Sequence, residues 1–111
     1  MSEENIPISG IACDMTGSIT AFGKGAEELF GYTKDEVIGK GNVGMFHTEE
    51  NVKTLVPVLL QTAIEKGVWE DEVELVRKDG SHFIARLNVK SLKDGDKPIG
   101  FMGTTHFVKD I

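Results

Sequence analysis

The stretch from Phe22 to Lys40, Phe-Gly-Lys-Gly-Ala-Glu-Glu-Leu-Phe-Gly-Tyr-Thr-Lys-Asp-Glu-Val-Ile-Gly-Lys, constrains this chain more than any other. Leu29, Phe30 and Tyr32 set bulky apolar groups on both sides of a breaker, Gly31. Thr33-Lys34-Asp35-Glu36 then reads as a helix start. The Thr33 hydroxyl can accept from free amides of the first turn, and Glu36 can reach back to the start. Val37 and Ile38 follow as buried positions, and Gly39 ends the turn. Two helices this short, hinged at a glycine, do not span a core. They wrap around something.

Composition bounds what that something belongs to. A chain of 111 residues makes one domain with one real core. The net charge of −6 and the lack of a Lys/Arg cluster argue against a nucleic-acid surface, which needs concentrated positive charge. Cys13 is the sole cysteine, which excludes an internal disulfide and zinc sites built on paired thiols, and points to the cytoplasm. No apolar run approaches the ~20 residues that cross a bilayer. Met1-Ser-Glu-Glu4 is acidic and polar, unlike a secretory signal.

The rest of the chain reads as strands around helices. Ile8 to Asp14 and Ser18 to Phe22 form a hairpin across the turn Asp14-Met-Thr-Gly17. Thr48-Glu-Glu-Asn51 starts a longer helix, with a hydroxyl cap and acids in its first turn. Val52, Leu55, Val56, Leu59, Leu60, Ala63 and Ile64 recur on one face, and Gly67 closes it. Pro57 interrupts that pattern, so either the helix kinks there or its regular part starts near Thr54, where a first-turn proline is tolerated.

Three strands follow. Val68 to Arg77 places Val73 and Leu75 opposite Glu72 and Glu74. After the tight turn Asp79-Gly80, Phe83, Ala85, Leu87 and Val89 alternate with polar residues between Ser81 and Leu92. Pro98 to Val108 has Ile99, Phe101 and Phe107 on one face and Met102, Thr104, His106 and Val108 on the other. A strand apolar on both faces is expected at the centre of a sheet, with its second face covered from outside. The order gives an α+β class with an antiparallel sheet.

Six elements in the right order carry a resemblance: Asp14-x-x-Gly17-x-Ile19, Gly25-Ala-Glu-Glu-Leu-Phe-Gly-Tyr32, Glu36-Val-Ile-Gly39, Trp69-x-x-Glu72, Arg77-Lys-Asp-Gly80 and Lys109-Asp110-Ile111. From about Ile8 onward the chain resembles the PAS domain (sensory box) family. The resemblance implies a five-stranded antiparallel sheet with short helices and one longer helix on one face, enclosing a pocket. One departure is Gly23, where the family often has an Asn cap, and it implies some local loosening. The resemblance also implies sensing and signal relay to an output domain such as a histidine kinase, cyclase or chemoreceptor, in the same chain or in trans. Asp110-Ile111 matches the dipeptide that leads to such outputs in many members, as in either an excised module or a stand-alone protein.

The same resemblance frames the ligand question. Carried over, the family's pocket falls on Phe30, Tyr32, Met45, Phe46, Leu59, Leu87 and Met102, side chains that can equally well fill a core. No Arg aims there, so no carboxylate ligand is nominated, and an empty or collapsed pocket is the preferred reading. A flavin–thiol photosensor is disfavoured. Val43 lies near the reactive-cysteine position, and Leu75, Ala85 and Val108 replace the flavin-facing amides. Haem is an alternative, with His47 as axial ligand beside the pocket, although a His at a helix start is more often a polar cap. No cofactor is assigned. His82 reads as solvated after its hairpin, and His106 as a surface or interface residue.

No nucleophile, base and acid fall together, and Gly39-Lys-Gly41 with Gly44 lacks the Gly-Lys-Ser/Thr ending of a phosphate loop, so no catalytic or metal site is assigned. A homodimer is expected through the outer sheet face, with Met102, Thr104 and His106 pairing with a second copy.

Overall fold

The computed structural model describes residues 9–111. Ile8, expected to open the first strand, and the acidic start Met1 to Glu4 lie outside the described residues. The elements run β1 (Ser9–Asp14), β2 (Ile19–Phe22), α1 (Lys24–Phe30), α2 (Lys34–Val37), a 3-10 turn (Val43–Phe46), α3 (Glu49–Thr54), α4 (Val56–Lys66), β3 (Val68–Val76), β4 (His82–Asp94) and β5 (Lys97–Asp110). The five strands make one sheet in the order β2-β1-β5-β4-β3, every pair antiparallel. β5 is central, as its two-sided apolar pattern predicts.

Strand alternation decides which side holds the core. Val73 pairs with Ala85 and Leu75 with Phe83, so the inward residues of β3 and β4 form one face. Ile11 and Cys13 pair with Gly103 and Phe101, which extends that face across β1 and β5. Ala26 and Phe30 of α1, Val37 of α2, Phe46 of the 3-10 turn, and Leu59 and Ala63 of α4 bury against it in one cluster. Fully burying a Phe or Leu of this set stabilises the fold by about 1.5–3 kcal/mol.

Local chemistry sets the helix ends. The Glu36 carboxylate accepts from the Thr33 amide at 2.8 Å, so the expected reach-back holds α2 in place. Pro57 resolves into a break: α3 ends at Thr54, Leu55 intervenes, and the proline sits in the first turn of α4, where no amide is missed. Gly23, at the expected cap of α1, has no side chain to offer, and its amide donates to Gly10 O at 2.9 Å instead.

Two bulges in β5 change the expected faces. Leu92 pairs with Gly100 and Lys93 with Pro98, which leaves Ile99 unpaired. The alternation slips there, and Ile99 is exposed rather than buried beside Phe101. A second bulge, opposite Ile84 and Ala85, leaves Val108 unpaired in the same way. Gly100 is a necessity of close approach, since a Cβ there would lie 2.1 Å from Cys13 O.

Candidate functional site

Between the helical layer and the sheet lies a partly open cavity of about 60 Å³. Phe30 of α1, Val43, Phe46 and His47 around the 3-10 turn, and Val56, Leu59 and Leu60 of α4 form its helical side. Ile11 and Cys13 of β1, Leu75 of β3, Leu87 and Val89 of β4, and Phe101, Gly103 and Thr105 of β5 form its floor.

Each side of the wall is held by identifiable bonds. Gly31, at φ 85°, ends α1 and turns the chain away after Phe30. The carbonyls that α1 leaves open are taken by the β3–β4 hairpin: the Arg77 Nε–H donates to Leu29 O at 3.1 Å, and the Lys78 amide donates to Phe30 O at 2.9 Å. Phe30 is further fixed between Phe46 and Phe83, at 4.6 and 5.6 Å between ring centroids. Arg77 stacks its guanidinium 4.4 Å from the Phe83 ring centre and pairs with Asp110 at 2.9 Å. One arginine therefore ties the cavity's first helix to the last residues of β5.

His47 sits where the 3-10 turn gives way to α3. Its backbone bridges Leu75 on the edge strand β3, and its amide donates to Gly44 O at 3.1 Å. His47 lines the cavity, and its Nδ1, closed off from both cavity and solvent, has no hydrogen-bond partner. Burial lowers its pKa to about 4, so the imidazole is neutral at physiological pH. The Cys13 thiol lines the same cavity, and burial pushes its pKa up, away from a reactive thiolate.

Of the side chains expected at a pocket, Phe30, Phe46, Leu59 and Leu87 line this cavity, and His47 joins them. Tyr32, Met45 and Met102 do not line it. Tyr32 follows the reversal at Gly31, meets Phe46 edge-on at 5.8 Å, and has the Lys78 ammonium 5.9 Å from its ring centre. In the 3-10 turn, Val43 and Phe46 share the inner side one turn apart, and Met45 is left exposed. Met102 pairs with Ala12 and Lys90 between the inward Phe101 and Gly103, which puts it on the outer face of the sheet with Thr104 and His106. Met102 and Thr104 are half-buried there, and His106 is exposed. The wall residues that went unnamed as pocket residues include Cys13, Phe101 and Thr105. Their signal was the alternation of β1 and β5, readable only once those strands are paired.

The cavity also tests two cofactors. A haem or flavin needs room on the scale of the roughly 300–1,000 Å³ pockets that enclose drug-sized ligands. The space beside His47 is several times smaller, so the residues present do not fit either group in this conformation. Among the flavin-facing positions, Leu75 is apolar and lines the cavity, while Ala85 and Val108 do not reach it. Among the described residues, no group of three or more His, Cys, Asp or Glu could hold a metal ion, and no helix is long and apolar enough to cross a membrane.

Comparison with known proteins places this geometry. The sequence matches the PAS domain family over residues 8–111. Two-component system protein A of Emericella nidulans is 29% identical over 92 residues, which are 83% of this chain and 14% of that protein. The chain thus spans about one seventh of the length of that curated relative. The PAS domain of a protein from Colwellia psychrerythraea superposes with a TM-score of 0.88 at 22% identity, over 94% of this chain and 88% of that one. The LOV domain of the Erythrobacter litoralis EL346 blue-light activated histidine kinase superposes with a TM-score of 0.75 at 22% identity, over 94% and 96% of the two chains. With the family match running from residue 8 to the last residue, the chain belongs to the PAS domain family, a family of sensory signal-transduction modules.

Proposed function

We propose that this chain is a single, non-catalytic sensor domain that relays a ligand- or contact-dependent signal, as a homodimer, to an output domain such as a histidine kinase. The observation that carries this reading is the shared wall of the cavity. Phe30, Phe46 and Leu59 come from the helical layer, and Phe101, Gly103 and Thr105 from the central strand. A change in what fills that space presses on β5, whose far end is bonded back to α1 through Arg77 and Asp110. The relationship to a two-component system protein and the structural likeness to a kinase-linked domain support an output of that class. The outer face with Met102, Thr104 and His106 is the dimer surface in this reading. It lies on the same strand as the cavity floor, so input and assembly share one element. The reading includes a cytoplasmic location, supported by a single buried thiol and no possible internal disulfide.

A haem sensor with His47 as axial ligand is the second reading. The position of His47 on the cavity wall favours it and the volume opposes it.

The test is a graft. The chain replaces the PAS segment of a two-component histidine kinase, and autophosphorylation is measured with and without Leu59→Phe, which intrudes on the cavity. Relay predicts that the substitution shifts kinase activity several-fold. Equal activity in folded proteins with and without it overturns the reading.

A further inference from the structure

We propose that the cavity takes a small uncharged apolar molecule, seated on the bare backbone of Gly103 at its floor. The proposal rests on the sensor reading above and names the class of molecule sensed.

The starting observation is Gly103 itself. It lies inside β5, paired with Ile11 on one side and Val89 on the other, and the two bulges of that strand fall elsewhere, at Ile99 and Val108. A glycine inside a strand weakens it, and its usual reasons are a bulge, a tight bend, the close approach of another backbone, or a ligand. Unbroken register through Gly103 removes the first two. Its φ lies outside the left-handed region, so the backbone conformation does not call for glycine. A Cβ there would meet Leu87 Cδ1 at 3.7 Å and two backbone oxygens at 3.9 Å, all ordinary contacts. Gly100 is the contrast, because a Cβ at that position runs into Cys13 O. At Gly103 the central strand therefore lacks a side chain that the fold has room for, and the space left bare belongs to the cavity.

Wall chemistry sets the class of molecule. Among the described residues, no Lys, Arg, Asp or Glu lines the space. A carboxylate, phosphate or ammonium would be stripped of water with no opposite charge to receive it. His47 offers none, since its ring is neutral and its Nδ1 is closed off. Burial keeps Cys13 a thiol, which leaves Thr105 as the one hydroxyl on the wall. Water needs two to four polar partners and is poorly held there. Leu, Ile, Val and Phe make up most of the rest, the kind of wall that stays dry and takes benzene. The space is partly open, which gives such a molecule a way in.

The experiment follows backbone amide shifts by NMR while the whole chain is titrated with toluene and, separately, with benzoate, a charged molecule of similar shape. The expected result is saturable toluene shifts at Leu75, Leu87 and Gly103, with a Kd on the order of 1 mM, since so few atoms supply little affinity. Benzoate should give no saturable shift at those amides. Gly103→Ala puts a methyl group on the floor and should weaken toluene about tenfold. The same variant should melt at or above the parent's temperature, because its φ suits alanine and its Cβ has room. Non-saturating toluene shifts, equal binding of benzoate, or unchanged toluene affinity in Gly103→Ala would each overturn the proposal. A Gly103→Ala that melts well below the parent, or does not fold, would also overturn it, by showing that the backbone needs the glycine. If these arms fail while the grafted kinase still responds to Leu59→Phe, the ligand class falls and the relay stands.

Discussion

Acid should destabilise this protein through His47, by an amount the structure sets. The ring titrates at about 4 when folded and near the ordinary 6.5 when unfolded. As pH falls through 6.5, the unfolded chain takes up a proton that the folded chain refuses. In that window the unfolded state binds more protons, so stability falls as pH drops, and the loss is complete near pH 4. Between about pH 8 and pH 5 the linkage integral for those two values is about 2 kcal/mol. Urea denaturation read by Trp69 fluorescence measures this directly. The parent should lose about 2 kcal/mol more than His47→Gln over that range, because every other titrating group is common to both proteins and cancels. Parallel pH profiles for the two proteins would refute the claim that the imidazole is buried and neutral. The lowered carboxyls of Asp14 and Asp79, held down mainly by Thr16 and Ser81 hydrogen bonds, contribute stability that is lost only as pH falls below their ordinary 3.8. They leave the window clear.

Three further outcomes follow from the same geometry. Arg77→Ala should cost roughly 2 kcal/mol in chemical denaturation, because the charged bond to Leu29 O and the stack on Phe83 go together. The exposed partner Asp110 adds little to that figure, and a loss under about 0.5 kcal/mol would show that the hairpin does not hold α1. Gly100→Ala should destabilise by about 3 kcal/mol or more, since its Cβ would meet Cys13 O and force β1 off β5. Normal amide exchange protection in β1 of that variant would contradict the close approach. Added haem should give no sharp band near 400 nm in the absorption spectrum, and a band lost in His47→Ala would show that the cavity opens far beyond 60 Å³.

Much of this architecture is legible in the order of residues, and the illegible parts have a common cause. The inward set Phe83, Ala85, Leu87 and Val89 is a plain alternation, because β4 pairs with β3 in unbroken register and the extra residue of each bulge lies on β5. Ile99 and Val108 break the same rule in β5. A bulge is a property of two strands in register, and a single strand's sequence does not carry it. Pro57 marks a disturbance in the helical pattern, and packing chooses a break at Leu55 over a kink.

The cavity divides in the same way. Phe30 and Phe46 are bulky residues beside turns, and both end up against the space. Tyr32 and Met45 have the same local character and do not, because the reversal at Gly31 and the 3-10 turn each select one side. Met102 reads as either inner or outer until β5 is paired with β1. Cys13 and Thr105 become wall residues only when strands distant in sequence meet. Seen alone, His47 is a polar residue at a helix start, and its unpaired nitrogen emerges from the burial of the turn that holds it.

The most direct test of the relay account is the mass of the protein in solution. Multi-angle light scattering on the chain and on Met102→Glu reads it without a ligand or an output domain. Met102 is half-buried on the outer face of the central strand, so a glutamate there is tolerated by the monomer fold and placed in the middle of the proposed interface. The account predicts a dimer for the parent and a folded monomer for the variant. A parent that is monomeric at high concentration, or a Met102→Glu variant that remains dimeric, would contradict relay through that face.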